Sequence, residues 1–368
     1  MKVGFIGWRG MVGSVLMDRM IKEGDFNYID ATFFSTSNAG GEGPDVGKGT
    51  TKLLDAQNIK QLSDMDALVS CQGGDYTKQV FPELRKSGWK GYWIDAASSL
   101  RMDKDSIIIL DPVNMSVIKK GLKDGIKNFI GGNCTVSLAL MAIGALFQKD
   151  LIEWMSTMTY QAASGAGAKN MRELILQMGS IWQASKSLAD NPAGAILELD
   201  KTVQKTINDK SFPIENFGAP LAGSLIPWID SQVENGQTRE EWKGFAETNK
   251  ILNTKNPIPI DGLCVRVGAM RSHSQALTIK LKKDAPLDEI IDMIKKSNEW
   301  VKVVDNNKPD TLKFLSPAAI SGTLTIPIGR IHKMIMGPEY LTAFTVGDQL
   351  LWGAAEPLRR MVKILLDN

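Results

Sequence analysis

An α/β protein is what this sequence predicts, with a parallel, doubly wound sheet first and a second region of mixed strands and helices after it. Three observations predict it. A short apolar strand at the N-terminus runs into a glycine-rich turn and then an amphipathic helix. Further apolar runs of strand length alternate with helical stretches as far as residue 130. Past a long apolar helix near residue 140 the strands lengthen and that alternation ends. At 368 residues the chain exceeds what one core usually serves, so two domains are expected.

The first strand is Val3-Gly4-Phe5-Ile6, and Val12, Val15, Leu16 and Met20 recur behind it at helical spacing. Between them lies Gly7-Trp8-Arg9-Gly10-Met11-Val12-Gly13. Strand, glycine turn and helix form the setting in which a pyrophosphate rests on a helix N-terminus, because glycine lets the backbone approach the ligand. Gly7, Gly10 and Gly13, with Met11 and Val12, are therefore candidate dinucleotide contacts; a ligand-free βα turn is the plainer alternative. The second strand, 31–34, ends in Ser35-Thr36-Ser37-Asn38. A cofactor with a free ribose 2′-hydroxyl usually meets an acid at this strand end. Here hydroxyls stand in its place, and Asp30 precedes the strand. Thr36 and Ser37, with Arg9 to supply positive charge, favour NADP over NAD.

The runs 67–71, 92–95, 107–110 and 129–130 supply further strands, with a helix over 77–85 despite Pro82. Cys71, at a strand end with no partner base, reads as structural. Next comes Gly131-Gly132-Asn133-Cys134-Thr135-Val136-Ser137, which joins the 129–130 strand to a buried helix over 136–147. Cys134 then sits at a helix N-terminus, where free N–H groups and the macrodipole favour a thiolate. That makes it a candidate nucleophile, although a cysteine taken at random is more often a small core residue. Beyond it, a strand over 155–163 ends in Ser164-Gly165-Ala166-Gly167, a helix covers 169–187, strands cover 263–268 and 276–281, and a last helix covers 349–366. Residues 191–194 and 253–259 read as loops.

Of the two histidines, His273 lies in a polar interruption between two strands, whereas His332 has no acid or cysteine nearby. His273 is the better base, and a thiol paired with a distant histidine is the usual activated nucleophile. Composition excludes other classes. Lys plus Arg total 43 and Asp plus Glu 41, a net charge of +2 that leaves no electrostatic footprint for nucleic acid. The cysteines Cys71, Cys134 and Cys264 are odd in number and scattered, which disfavours both a disulfide framework and a metal site and points to a reducing, cytoplasmic setting. The apolar run of 136–147 is well short of the ~20 residues that span a bilayer, and Trp8-Arg9-Gly10 breaks the N-terminal run before a signal-peptide core forms.

Several stretches, taken together, closely resemble aspartate-semialdehyde dehydrogenases of the Gram-negative bacterial type. They are residues 4–14, Cys71-Gln72-Gly73-Gly74-Asp75-Tyr76, residues 91–102, residues 131–137, Gln161-Ala162-Ala163-Ser164-Gly165, Glu240-Glu241-Trp242-Lys243 and residues 346–357. The resemblance runs the whole length, with Ala166 a local departure in the cofactor loop. It implies a Rossmann-like NADP-binding domain, 1–132 plus about 350–368, and an α+β catalytic and dimerisation domain, 133–349, with the C-terminal helix returning to the first. It also implies reversible conversion of aspartate semialdehyde and phosphate to aspartyl phosphate through a Cys134 thioester, within aspartate-family amino-acid biosynthesis, by a homodimer. Carried over by motif, His273 moves the proton and Gln161 orients the substrate. Arg266 grips the substrate carboxylate, Glu240 its amino group, and Arg101 and Lys243 the phosphate. Asn133 joins the substrate contacts, and Gln72, Gly73, Ser164, Gly165 and Gln349 those of the cofactor. Taken alone, each charge reads as a solvated surface residue, and Glu240 with Lys243 as an exposed helical i,i+3 pair. Two alternatives stand beside this reading. One is an acyl-phosphate reductase of the N-acetyl-glutamyl-phosphate type, against which Glu240 argues. The other is a non-catalytic NADP-binding redox sensor, which leaves Arg101, Lys243, Arg266 and His273 without a task.

Overall fold

The computed structural model describes residues 1–367 apart from 48 and 50. Two seven-stranded sheets carry the chain. The first comprises β1 (Lys2–Ile6), β2 (Asp30–Ser35), β3 (Leu54–Asp55), β4 (Ala67–Ser70), β5 (Tyr92–Asp95), β6 (Ser106–Ile109) and β7 (Asn128–Gly131). It is parallel throughout, in the order β3-β2-β1-β4-β5-β7-β6. The order reverses between β1 and β4, and ligands bind outside the carboxyl ends of strands at such a point. The glycine turn leaves β1 there, and Cys71-Gln72-Gly73 leaves β4. Helices cover both faces, which is why β4 is buried at every position and reads as a continuous apolar run. Asp30 opens β2 at the far end from this crevice, as the sequence suggested.

The second sheet comprises β8 (Ile152–Gln161), β9 (Leu225–Ile226), β10 (Ile260–Val267), β11 (His273–Leu281), β12 (Val301–Val303), β13 (Ile326–Lys333) and β14 (Tyr340–Gly347). Its order is β12-β13-β14-β11-β8-β10-β9, with β8 antiparallel to β11 and parallel to β10. Gln161, Arg266 and His273 therefore come from one end of three neighbouring strands.

Five helices matter for the site: α1 (Met11–Lys22), α2 (Cys134–Gln148), α3 (Ala168–Ala189), α4 (Arg239–Leu252) and α5 (Glu356–Leu366). Leu138, Met141 and Ile143 of α2 share a core with Leu277 and Ile279 of the second sheet and with Ile108 and Leu110 from the edge of the first. The helix that Cys134 opens is thus wedged between the sheets. Leu358, Met361 and Val362 of α5 pack with Val3, Phe5 and Phe129, so the end of the chain completes the core of the first sheet. Among the described residues no helix is long and apolar enough to cross a membrane.

The structure departs from the sequence reading in two ways. The last helix is not continuous over 349–366, because residues Leu351–Ala355 form a π-turn before α5 begins. This wider turn brings Gly353 against Cys134, where an added Cβ would lie 2.8 Å from the cysteine's Cβ; such turns recur at functional sites. The helix Ile196–Ile207 and the strands β12, β13 and β14 were not read from the sequence at all.

A buried ion cluster fastens α5 to α1. Glu356, 1% exposed, accepts from Arg19 at 2.9 Å and from Arg359 at 2.8 Å, and Arg359 also reaches Asp25 at 2.6 Å. Removing the shared carboxylate takes the most buried counter-ion from two guanidinium groups and leaves them only Glu23 and Asp25 at the edge of the cluster. Glu356→Ala is expected to lower the unfolding free energy by about 3–5 kcal/mol, measured by urea denaturation.

Candidate active site

Cys134 is the first residue of α2, directly after β7. Asn133 caps the helix: its Oδ1 accepts the N–H groups of Thr135 at 3.0 Å and Val136 at 3.2 Å. Facing it, α4 starts in a capping box between Thr238 and Glu241 that sets where the helix begins, and so which of its residues point inward. Glu240 and Lys243 are buried rather than the exposed pair that their spacing alone suggested.

Glu240 is the hub. Its Oε1 accepts from Asn133 Nδ2 at 2.9 Å and Gln161 Nε2 at 3.1 Å, and its Oε2 from Lys243 Nζ at 2.8 Å. Burial alone would raise its pKa, but Lys243 and these hydrogen bonds outweigh that and hold it below the usual carboxylate value. Lys243 shows the converse: burial opposes its charge, yet Glu240 and Asp230 keep its pKa raised. Asp230 accepts from Lys243 at 2.9 Å and holds a left-handed φ of 74°. No sequence signal marked it.

A cavity of about 570 Å³ opens over this group. Of the residues singled out from the sequence, Met11, Val12, Arg101, Asn133, Cys134, Gln161, Ser164, Gly165, Glu240, Lys243, Arg266 and Gln349 line it. Ser98, Asp230 and Gly353 join them without having been anticipated. Arg266 Nη1 donates to the Ala162 carbonyl at 2.8 Å, and Arg101 Nε to the Gly131 carbonyl at 2.6 Å, so both guanidinium groups are aimed by main chain. Gln349 bridges two loops, accepting from Ser272 N at 2.7 Å and donating to Ser164 Oγ.

Two expectations change here. Burial, followed by the charge of Glu240, pushes the Cys134 thiol up to about 12, even though Arg266, Arg101 and Lys243 pull the other way. The substrate-free site therefore holds a thiol rather than the thiolate expected from the helix N-terminus, because desolvation outweighs the dipole. His273 also differs from a base paired with the thiol. It is fully buried, its Nδ1 accepts the Ala162 N–H at 3.0 Å, and its Nε2 has no hydrogen-bond partner. Burial and then Arg266 lower its pKa to about 3, so the ring is neutral and its one proton sits on Nε2. That edge lies behind Gly165, where an added Cβ would come within 2.9 Å of the imidazole and of Arg266.

A second cavity, of about 290 Å³, holds the other group of predicted contacts: Gly7, Arg9, Gly10, Thr36, Ser37 and Gln72. The residues present fit a dinucleotide. Helix α1 has no side-chain cap and no acid in its first turn, so its N–H donors remain available for an anion. Gly7 takes a φ of 74°, and a Cβ on Gly13 would fall 2.2 Å from the Gly7 carbonyl, so Gly13 serves close helix–strand packing, and it lines neither cavity. Gly73 (φ 103°) likewise turns the chain into the next helix and lines neither cavity. Arg9 Nη2 donates to Ser35 Oγ at 3.2 Å and Ser37 Oγ at 3.3 Å, which gathers a cation and two hydroxyls at the end of β2.

Fold and site together define a class, the semialdehyde dehydrogenases: residues 2–121 match the family model of their NAD binding domain and residues 143–352 that of their dimerisation domain. Among solved structures, aspartate semialdehyde dehydrogenase from Francisella tularensis is 52% identical over 99% of each chain, with a TM-score of 0.94. The chain belongs to the aspartate-semialdehyde dehydrogenase family. Aspartate semialdehyde dehydrogenase II from Vibrio cholerae, complexed with ASA, shares the fold at 21% identity over 100% of this chain and 98% of its own, with a TM-score of 0.80. So does the enzyme from Candida albicans with NADP, at 15% identity over 99% and 98% of the two chains, with a TM-score of 0.67.

The raised thiol pKa yields a test. Inactivation of the substrate-free protein by iodoacetamide should accelerate about tenfold per pH unit from pH 7 to 10, with no step near pH 6.5, because the thiolate fraction grows toward a pKa of about 12 and His273 stays neutral throughout. A plateau reached by pH 8 would refute the raised pKa of the Cys134 thiol.

Proposed function

We propose that this protein is an NADP-dependent phosphorylating aldehyde dehydrogenase that interconverts aspartate semialdehyde plus phosphate and aspartyl phosphate. One observation carries the reading: a helix-borne cysteine shares a single cavity with a charged Glu240, a carbonyl-aimed Arg266 and the cations Arg101 and Lys243. A free amino acid bearing a reactive carbon at its far end needs this set. Arg266 binds its carboxylate through a planar fork, and ionised Glu240 takes its ammonium. A blocked amino group would leave Glu240 without a task.

Once the thiol proton has passed to water, Cys134 sulfur adds to the aldehyde carbon and negative charge moves to the aldehyde oxygen. The His273 Nε2–H, which lies behind Gly165, is the donor for that oxygen on this reading, and Gln161 steadies the carbon chain beside it. Gly7, Gly10, Met11, Val12 and Gln349 would hold the cofactor, which would supply the hydride acceptor in this direction. Arg101 and Lys243 bring phosphate to the resulting thioester, and sulfur leaves as thiolate when the acyl phosphate forms. Arg9, Ser35, Thr36 and Ser37 support a 2′-phosphate, and with it NADP.

We place the nucleotide-binding part at 1–132 plus about 350–368 and the catalytic part at 133–349. The protein acts as a homodimer in the cytoplasm on this reading. Ile175, Leu176, Met178 and Trp182 on α3 lie exposed within the segment that matches the dimerisation model, and the three cysteines are free thiols. 

The test is NADPH formation from aspartate semialdehyde that requires phosphate. Cys134→Ala should abolish it while leaving NADP binding within about twofold of the parent, since the thiol forms the covalent intermediate; retained turnover would end the thioester mechanism. Arg9→Gln should lower kcat/KM for NADP about tenfold to a hundredfold and scarcely change it for NAD, as expected for one hydrogen bond to a charged group. Equal losses with both cofactors would show that the end of β2 does not choose between them.

A further inference from the structure

We infer that Glu247 is a positioning residue that holds the phosphate-gripping Arg101 and the nucleophile's helix in register with one another. The inference rests on the reading of Arg101 as a phosphate ligand. Glu247 lies on α4 one turn beyond Lys243, on the face that also carries Glu240, and it is 2% exposed. It does not line the cavity, so it cannot meet substrate directly. Its two oxygens hold different segments. Oε1 accepts from Arg101 Nη1 at 3.1 Å, and Oε2 accepts from the main-chain N–H of Asn133 at 2.6 Å. Asn133 is the cap of α2, and the next residue is Cys134.

Helix α4 thus holds Asn133 twice, the main chain through Glu247 and the side chain through Glu240. Arg101 follows β5 and Asn133 follows β7, and these two strands are neighbours in the first sheet. One carboxylate from the second region therefore clamps both strand ends. A neutral isostere cannot take over. Glutamine offers one acceptor oxygen and one NH₂ group, so turning the oxygen to either neighbour sets the NH₂ against a donor on the other.

Kinetics with phosphate, aspartate semialdehyde and NADP varied in turn test this. Glu247→Gln should raise the KM for phosphate about tenfold to a hundredfold, the span of one charge-assisted hydrogen bond, and leave the KM for NADP within about twofold. Arg101→Met should raise the phosphate KM by itself, and adding Glu247→Gln should raise it no further, because the effect travels through the guanidinium. Arg101→Met with Glu247→Leu removes both buried charges together, leaving neither unbalanced, and should give the same phosphate KM as Arg101→Met; it serves if Glu247→Gln does not fold. Glu247 changes that multiply the Arg101 effect, or that lower kcat with the phosphate KM unmoved, overturn the inference. An unchanged phosphate KM in Arg101→Met would sink the Arg101 assignment beneath it instead.

Discussion

Taking the Glu240 carboxylate out of water costs several kcal/mol unless donors replace its hydration shell, and here Lys243, Asn133 and Gln161 do so. The three donors come from α4 itself, from the cap of the nucleophile's helix and from the end of β8. A charge that must be neutralised by all three forces those elements together. The same carboxylate raises the thiol pKa of Cys134 and helps to keep Lys243 protonated. Assembly of the site and its electrostatics therefore follow from one buried ion.

That electrostatic balance is uneven by design of the fold. Cys134 has the helix terminus and three cations in its favour, yet burial wins and the thiol stays protonated at rest. The same burial moves His273 the other way on the pH scale, lowering its pKa, since desolvation and Arg266 both disfavour the imidazolium. Both groups are thus neutral in the empty site. An empty site with a neutral thiol is less exposed to adventitious oxidation.

Much of this was legible in the sequence where a local pattern carries the information. The Gly7 to Gly13 turn, the strand runs of the first sheet and the helix after Cys134 follow from periodicity and glycine spacing, and they stand where expected to within two or three residues. The charged contacts were not legible that way. Nothing in the spacing of Glu240 and Lys243 distinguishes a buried pair from a solvated one; what buries them is α2 packed across from α4, a contact between segments more than 90 residues apart in the chain. Only resemblance to a family raised them. The neutral state of His273 depends on its burial and on Arg266, and the place of its proton on the N–H of Ala162, a main-chain group that no residue type announces. Asp230 and Glu247 were missed for the same reason. The strand β12 was missed because it spans only three residues, and β13 because Pro327 and Gly329 interrupt its apolar run.

The placement of Gly353 against Cys134, with Gln349 just before it and Glu356 just after, has a consequence for how the enzyme is made. A ribosome delivers Cys134, its cap and the whole of α4 well before it delivers these residues. Until then the wall beside the sulfur is missing and β1 has no α5 to cover it. The chamber beside Cys134 therefore closes only after α4 has been made, and a nascent chain that stops short of Gln349 carries the cysteine without this wall.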